Sequence, residues 1–310
     1  MRPTVSQLQT GVAGFTPAQQ RIHSSMLALL ARSDLEYCGA FADAGPHRVH
    51  YLDYGSGPPV FLIHGGGAGC AIWYRQIAAL SPSFRVIAPD NPMFGLSSQT
   101  YVNGSMRQFT AGYLLSLMDC LGIERASFVG LSLGGYASLS VALAAPERVD
   151  KLCLINSAGL GAHLPWVFRL ITLPVIGHLL SRPNKWAQDR FFETVEVVNG
   201  NGPDSEAFKR YAYDVTTSDR HGLAVRRNMP RFANLRGQLD IYSDSELASV
   251  RQPALIVWGE RDAFFPVGHG HRAHSLITGS RLEVLPESGH VAIWDRPADV
   301  SRLLLEFLSG

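Results

Sequence analysis

Short apolar runs alternate with amphipathic segments along most of the chain, and this alternation is the feature that most restricts its fold. The predicted strands are residues 35–42, 48–54, 60–63, 84–88, 126–129, 149–155, 254–258 and 282–285. The predicted helices of the alternating part are residues 71–80, 106–120, 133–145, 267–277 and 298–308. Strands that alternate with helices in this way predict a mainly parallel sheet with helices on both faces.

One long stretch interrupts the alternation. Residues 158–250 contain no apolar run flanked like the other strands. They are typical of helical pieces, broken at Pro165, Pro174, Pro183, Gly200 and Pro203. We therefore expect one eight-stranded sheet with a helical cap inserted after its sixth strand. The expected core comprises residues 35–158 and 248–310, and the expected cap comprises residues 159–247.

A further helix, residues 17–31, precedes the alternating part. Thr16 can cap it, and Gln19 completes a capping box with Thr16. One face of this helix is apolar, which favours packing on the rest of the protein. The residues of that face are Ile22, Met26, Leu29 and Leu30. Residues 1–34 are expected to form an N-terminal helical extension outside the main sheet.

The charge of the chain limits its partners. Among 310 residues, 27 Lys and Arg balance 26 Asp and Glu, which gives a net charge of +1. A nucleic-acid-binding protein usually carries a strong basic excess, so no nucleic-acid partner is expected. Charged residues make up only 17% of the chain, against about 25% in an average soluble domain. No oligomeric state is predicted.

The sequence also bears on location. The N-terminus lacks the apolar stretch of a secretory signal, and no run reaches the about 18 apolar residues of a membrane span. The nearest run, residues 164–180, is interrupted by Pro165, Arg169 and Pro174. The four cysteines are widely spaced and include no C-x-x-C pair, which favours reduced thiols. We expect a cytoplasmic protein without an integral membrane span.

The chemistry-bearing motif is Gly130-Leu131-Ser132-Leu133-Gly134, a G-x-S-x-G sequence. It stands between a predicted strand and a predicted helix, where a sharp turn would project the side chain of Ser132. A serine hydroxyl needs an adjacent base before it can act as a nucleophile. Ser132 is therefore the candidate nucleophile, against the alternative of a glycine-rich turn with an incidental serine.

In a sheet of this type, the nucleophile is followed along the chain by the acid and then by the histidine. Of the 11 histidines, only His290 follows the last predicted strand, and it is the candidate base. Asp262 follows strand 254–258 and is the candidate acid that orients the imidazole, with Glu260 as its competitor. Asn156 follows the sixth strand, but an amide cannot replace the acid.

The third predicted strand is followed by His64-Gly65-Gly66-Gly67. Glycines there let backbone N–H groups approach a developing oxyanion. The predicted oxyanion hole combines the N–H of Leu133 with that of Gly66, or alternatively of Gly67. His64 is expected to orient this loop.

Together these residues resemble the α/β-hydrolases that carry a helical cap, over residues 35–310. Besides the Ser132 and His64 motifs, the resemblance rests on residues 90–97 (DNPMFGLS), residues 258–262 (WGERD) and Gly289-His290. It implies a serine hydrolase of the esterase/lipase or meta-cleavage-product branch that needs no cofactor and no metal. A serine at the turn speaks against the aspartate-nucleophile branches, the epoxide hydrolases and haloalkane dehalogenases. Met93 departs from the family, which usually has glycine there.

Within the family, the triple glycine and Trp73 resemble the carbon–carbon bond hydrolases of aromatic degradation. Those enzymes usually have asparagine before the nucleophile and tryptophan after the histidine, where this chain has Leu131 and Val291. They also orient the substrate with a cap arginine, for which Arg182, Arg190 and Arg210 are available. The resemblance to that branch is partial.

The apolar stretch from Leu164 to Leu180 has two interpretations besides interfacial membrane docking. It is either ordinary cap packing or a lid that lines an apolar acyl or aryl pocket over Ser132. The predicted pocket residues are His64, Gly65, Leu131, Trp166, Phe168 and Val291. His269, His271 and His274 fall near a helix start and are interpreted as an exposed helix end, not a metal site.

Three functions remain open from the sequence. The first is cleavage of carboxylic esters with apolar acyl or aryl groups through an acyl-enzyme, with a small-molecule ester as the partner. The second is cleavage of a carbon–carbon bond in a vinylogous diketone by the same residues. The third is a lyase or a non-hydrolytic receptor on the same fold.

Overall fold

The structure, a computed structural model, describes residues 14–102, 104–180, 204–218 and 221–310, without the side chains of residues 221–226. Eight strands form the main sheet, in the order β1-β2-β4-β3-β5-β6-β9-β10. Their bounds are β1 Gly39–Ala44, β2 His47–Tyr54, β3 Pro59–Ile63, β4 Arg85–Pro89, β5 Ala126–Leu131, β6 Val149–Ile155, β9 Ala254–Gly259 and β10 Arg281–Leu285. Strand β2 runs antiparallel to β1 and β4, and the other neighbours are parallel. The predicted mainly parallel eight-stranded sheet is confirmed.

Helices follow most of these strands, as the alternation predicts. The helices outside the insertion are α1 Pro17–Leu30, α2 Tyr74–Leu80, α3 Met106–Cys120, α4 Leu133–Ala144, α10 Gly268–Leu276, α11 Ala292–Asp295 and α12 Pro297–Ser309. Every residue of β5 and of β9 is buried. These continuous apolar strands are typical of a parallel sheet covered by helices, and they account for part of the low charge content.

The insertion lies between the end of β6 at Ile155 and the start of β9 at Ala254. Its described elements are α5 Trp166–Ile171, α6 Pro174–Leu180, α7 Ser205–Thr216, α8 His221–Phe232, β7 Ala233–Asn234, β8 Gly237–Gln238 and α9 Asp244–Ala248. The β7–β8 hairpin is a difference from the helical prediction, because two-residue strands leave no periodic pattern in a sequence. Three of the predicted breaks, Pro183, Gly200 and Pro203, lie outside the described residues.

Helix α1 begins as its sequence predicts. The Thr16 side chain accepts a hydrogen bond from the N–H of Gln19, and the Gln19 side chain accepts one from the N–H of Thr16. Its apolar face is buried, including Ile22 and Met26. Helix α1 packs against α7 of the insertion, a partner that the sequence does not identify.

Among the described residues, no helix combines the length and the apolar character needed to cross a lipid bilayer.

Candidate active site

The turn between β5 and α4 holds Ser132 in a strained conformation. Its φ is 55° and its ψ is −116°, a region that non-glycine residues rarely occupy. The N–H of Ser132 donates to the carbonyl of Ile155 at 2.9 Å, which ties the turn to the end of β6. The strained turn places the Ser132 side chain within hydrogen-bond distance of His290.

The motif glycines allow the backbone around Ser132 to pack closely. A Cβ atom at Gly130 would collide with the carbonyl group of Gly134, and one at Gly134 would collide with the carbonyl group of Ile63 at the end of β3. Neither glycine has a positive φ. Both are required by close backbone approach, so any side chain there would push α4 away from the sheet.

The structure brings Ser132, His290 and Asp262 together. Nε2 of His290 lies 2.9 Å from Oγ of Ser132. Nδ1 of His290 lies 2.9 Å from Oδ2 of Asp262 and 3.0 Å from its Oδ1. His290 and Asp262 are buried, while Ser132 is half-buried. The three side chains form one hydrogen-bonded chain from the buried carboxylate to the accessible hydroxyl.

The carboxylate of Asp262 is held by several donors besides His290. Its Oδ1 accepts the N–H groups of Phe264, at 2.7 Å, and Phe265, at 3.0 Å. Its Oδ2 accepts Nδ2 of Asn156 at 2.7 Å. The competing acid Glu260 is exposed. Sequence reasoning missed the two phenylalanine N–H groups, although their position just after Asp262 in the same turn could have suggested them.

The glycine loop after β3 lies directly against Ser132. A Cβ atom at Gly65 would sit 3.1 Å from Cβ of Ser132, whereas one at Gly66 would meet no atom within 4 Å. Gly67 has a φ of +73°, and a Cβ there would lie 3.7 Å from Cγ2 of Thr216 on α7. A side chain at Gly66 would therefore meet open space, in a loop whose Gly65 lies against Ser132 and whose Gly67 faces Thr216 of the insertion.

Leu133, the other predicted contributor to the oxyanion hole, is the first residue of α4. The first N–H groups of a helix have no carbonyl partner within that helix. The position of Leu133 next to Ser132 suits the predicted role.

His64 positions the glycine loop. Its Nδ1 lies 2.7 Å from the carbonyl oxygen of Gly65, and its Nε2 accepts the N–H of Asn91 at 2.9 Å. Burial lowers the pKa of His64, so the ring stays neutral. Asn91 in turn donates to the carbonyl of His64 at 3.0 Å and accepts from the hydroxyl of Tyr113. With both ring nitrogens occupied, His64 has no polar atom free for a substrate.

The other predicted pocket residues lie in different places. Phe168 packs on Phe264 with ring centroids 4.9 Å apart, and Phe264 stacks on His290 at 4.6 Å. Val291 is half-buried beside His290, and Leu131 is buried. Trp166 is 71% exposed. The insertion therefore reaches the site through Phe168, and Phe264 is an aromatic wall that the sequence analysis did not name.

The residues that suggested the carbon–carbon hydrolase branch do not lie together at the site in the described part of the chain. Trp73 is fully buried and belongs to the hydrophobic core. Arg210 is 63% exposed and pairs with the buried carboxylate of Asp214, one turn along α7, at 2.9 Å. Arg182 and Arg190 lie outside the described residues.

Met93 occupies a turn conformation that favours glycine. Its φ is 95°, and its side chain is 5% exposed. The Sδ atom accepts the side-chain amide of Asn228, on α8, at 2.7 Å. Oδ1 of Asn228 accepts the N–H of Val102 at 3.0 Å. The strained methionine thus joins the loop after β4 to the insertion.

One group of described residues has the composition of a metal site. Ligand atoms of His50, Cys70 and Asp90 all lie within 4.8 Å of one another and are buried. The carboxylate already accepts hydrogen bonds from the N–H groups of Cys70, at 2.7 Å, and Leu96, at 2.9 Å, and lies 2.7 Å from Nδ1 of His50. Burial raises the pKa of the Cys70 thiol well above its usual value, which keeps it protonated. This arrangement suits a hydrogen-bond network that fixes the loop, not a thiolate ligand.

The histidines of α10 serve separate contacts. His269 stacks on Phe265, with ring centroids 6.1 Å apart. Nδ1 of His274 lies 3.0 Å from the hydroxyl of Ser280, and His271 is exposed. His271 and His274 are exposed, as interpreted from the sequence, whereas His269 is half-buried, which differs from the expected exposed helix end.

A cavity of about 510 Å³ lies elsewhere, between α1, the start of β2 and residues 95–99. Its described lining includes Arg48 and Phe41 but none of Ser132, Asp262 and His290. We do not assign the chemistry to this cavity.

The fold and the site together define a class: a mainly parallel sheet with a strained serine at the turn after β5, hydrogen-bonded to a histidine and an aspartate. Residues 58–297 match the sequence profile of the alpha/beta hydrolase fold. The chain belongs to the α/β hydrolase fold family.

Several relatives of the chain are named as hydrolases. A 2-hydroxy-6-oxo-6-phenylhexa-2,4-dienoate hydrolase of Comamonas testosteroni is 30% identical over 281 residues, covering 86% of this chain and 93% of the relative. Among solved structures, a hydrolase of the same name from Rhodococcus has a TM-score of 0.77 at 25% identity, covering 89% of this chain and 99% of that one. A carboxylesterase from Bacillus subtilis has a TM-score of 0.78 at 24% identity, covering 95% and 100%. The last likeness concerns the fold alone.

Proposed function

We propose that the protein is a serine hydrolase of carboxylic esters with apolar acyl or aryl groups. The observation that carries the proposal is the hydrogen-bonded chain of Ser132, His290 and Asp262, with Ser132 in a strained turn against Gly65 of the glycine loop. Ser132 attacks the ester carbonyl while His290 accepts its proton. The N–H groups of Gly66 and Leu133 stabilise the tetrahedral oxyanion, with Gly67 as the alternative donor.

Collapse of this intermediate expels the alkoxide, which takes the proton from His290 and leaves an acyl-enzyme on Ser132. A water molecule, deprotonated by His290, then releases the carboxylic acid. Asp262 keeps the imidazole in one tautomer and stabilises the imidazolium in both steps. These residues complete the reaction without a cofactor or metal.

The apolar substrate preference is supported by the aromatic wall of Phe264 and Phe168 next to His290. We propose that residues 159–247 act as a cap domain over a core of residues 35–158 and 248–310, and that Leu131 and Val291 complete the pocket. His64 and Gly65 hold the loop, and Trp166 lies at the outer surface. We also propose a cytoplasmic location, supported by four free cysteines.

The test is the Ser132→Ala variant with a p-nitrophenyl ester. We expect turnover to fall by at least about 10⁴-fold, since the nucleophile is lost. The matched control is Ser138→Ala, another serine of α4, whose hydroxyl donates only to the carbonyl of Gly134 within the described residues. Undiminished hydrolysis by Ser132→Ala would exclude the assignment.

Carbon–carbon bond hydrolysis is the second candidate, and the observation that favours it is the similarity to dienoate hydrolases. Leu131 and Val291 stand where that branch usually has asparagine and tryptophan, and Arg210 is paired on the surface. Purified protein should be assayed with a ring-fission dienoate beside esters of several acyl lengths. Turnover of the dienoate in preference to every ester would establish the second candidate instead.

A further inference from the structure

We propose that Asn156 is a positioning residue for the acid Asp262, an inference that rests on the proposed serine-hydrolase function. Asn156 follows directly after β6 and is fully buried. Its N–H donates to the carbonyl of Val257 in β9 at 3.0 Å, which fixes its backbone beside the strand that leads to Asp262. From the sequence alone, position 156 is only an alternative place for the acid.

The contact of Asn156 complements the other donors to the carboxylate. The N–H groups of Phe264 and Phe265 both bind Oδ1 of Asp262. Nδ2 of Asn156 binds Oδ2 at 2.7 Å and lies 3.5 Å from the carbonyl oxygen of Gly289, the residue before His290. Apart from His290, Asn156 is the donor to Oδ2 among the described residues. It therefore holds the carboxylate oxygen that the two phenylalanine N–H groups do not bind.

Asn156 occupies this place at a structural cost. Its φ is 45°, in the left-handed region, and its buried Oδ1 has no hydrogen-bond partner among the described groups. A strained backbone and an unsatisfied buried acceptor both destabilise a fold. Turning the amide over would set Oδ1 against the carboxylate, so the observed orientation is the favourable one. The residue is therefore suited to donating one hydrogen bond to Asp262, not to packing.

Two variants separate positioning from packing. Asn156→Leu keeps the branched shape of the side chain, with a somewhat larger volume, and removes the donor, so Oδ2 of Asp262 loses its hydrogen bond from position 156. We expect kcat for a p-nitrophenyl ester to fall about 10-fold with KM within about 2-fold. Labelling of Ser132 by a fluorophosphonate should slow in parallel. The control is Ser157→Ala, at the same strand end, whose hydroxyl donates to the carbonyl of Ala158 and which should keep wild-type kcat.

Asn156→Asp gives a signature that packing cannot produce. The introduced carboxyl group can donate to Asp262 when protonated, and it repels Asp262 when ionised. The ratio of variant to wild-type kcat/KM should therefore rise as the pH falls. The other titratable groups near Asp262 are His290, His269 on α10, and Asp295 on α11, which accepts the N–H of Gly289. They are present in both proteins, so the ratio removes their shared contribution.

The outcomes are distinct. Wild-type protein that neither hydrolyses esters nor takes up the fluorophosphonate overturns the proposed function, and this inference with it. Active wild-type protein together with a pH-independent ratio for Asn156→Asp overturns the role of Asn156 alone. If Asn156→Leu fails to fold by circular dichroism, the ratio for the nearly isosteric Asn156→Asp decides the question.

Discussion

At the scale of single residues, Met93 has a backbone conformation that residues with a side chain rarely adopt. A φ of 95° costs a non-glycine residue on the order of 1–3 kcal/mol. Burial of the side chain and its contact with Asn228 offset that cost. At position 93, substitution by alanine should therefore destabilise the protein more than substitution by glycine, the reverse of the usual order.

We expect Met93→Ala to lower the free energy of unfolding by about 2–5 kcal/mol, because a buried side chain is lost while the strain remains. Met93→Gly should lower it by about 1 kcal/mol less, because glycine adopts a positive φ without a Cβ clash. Urea unfolding measures both. Met118, buried within α3, is the control, where glycine should be worse than alanine. A larger loss for Met93→Gly than for Met93→Ala would contradict the strain argument.

The sequence predicts some site residues better than others. Ser132, Asp262 and His290 follow predicted strands in a recognisable order, so local pattern and chain order suffice to bring them together as candidates. Asn156 and Phe264 reach the site through contacts between separate strand ends, which no local pattern records. Trp166 is expected in the pocket from the sequence but is exposed. Its apolar character does not tell which way a short helix of the insertion faces.

At the scale of elements, α7 is anchored at its start by Asp204. The carboxylate accepts hydrogen bonds from the hydroxyl of Tyr74, at 2.8 Å, and from Nη2 of Arg75, at 2.7 Å. Nε of Arg32, just after α1, lies 3.9 Å away. Burial alone would raise the pKa of Asp204, but these partners outweigh it and lower the pKa. One carboxylate thus ties the insertion to α1 and α2.

Asp204→Ala should lower the free energy of unfolding by about 1–3 kcal/mol, because a partly buried charged hydrogen-bond network loses its acceptor. It should also raise KM for the ester, since α7 carries Thr216 to the glycine loop. Thermal unfolding and steady-state kinetics measure the two effects. Glu206→Ala removes an exposed acid from the first turn of the same helix and serves as the control. Equal effects of the two variants would show that the anchor is unimportant.

The elements themselves are largely readable from the sequence, because apolar periodicity sets them. Helix α3 and strand β6 have the predicted bounds, 106–120 and 149–155. The hairpin of β7 and β8 is not readable, because its short strands are fixed by tertiary contacts. One of these is the N–H of Gln238 donating to the carbonyl of Ala162 at 2.9 Å.

For the whole molecule, His269 links stability to pH. Burial, with a smaller effect of His163, lowers the pKa of His269 to about 4 from the ordinary 6.5. Between pH 6.5 and 4 the unfolded chain therefore binds more protons than the folded protein at this residue. The contribution of His269 to stability therefore falls as the pH is lowered through that window.

His269→Gln should reduce this acid sensitivity. Between pH 6.5 and 4, its melting temperature should fall by on the order of 2 °C less than that of the wild type, a modest gain because the ring is only partly shielded from water. Scanning calorimetry at several pH values measures the difference. His271→Gln, an exposed neighbour on α10, should keep the wild-type dependence. An identical slope for His269→Gln would show that His269 does not titrate as proposed.

The packing of α1 against α7 also affects the order in which the contacts of the fold can form during synthesis. Helix α1 leaves the ribosome first, but its partner is not made until residues 205–216 have been translated. Part of the apolar face of α1 therefore stays uncovered while β1 to β6 are already available to pair. A nascent chain stalled before α7 would expose part of that face, which would favour its capture by chaperones or its aggregation.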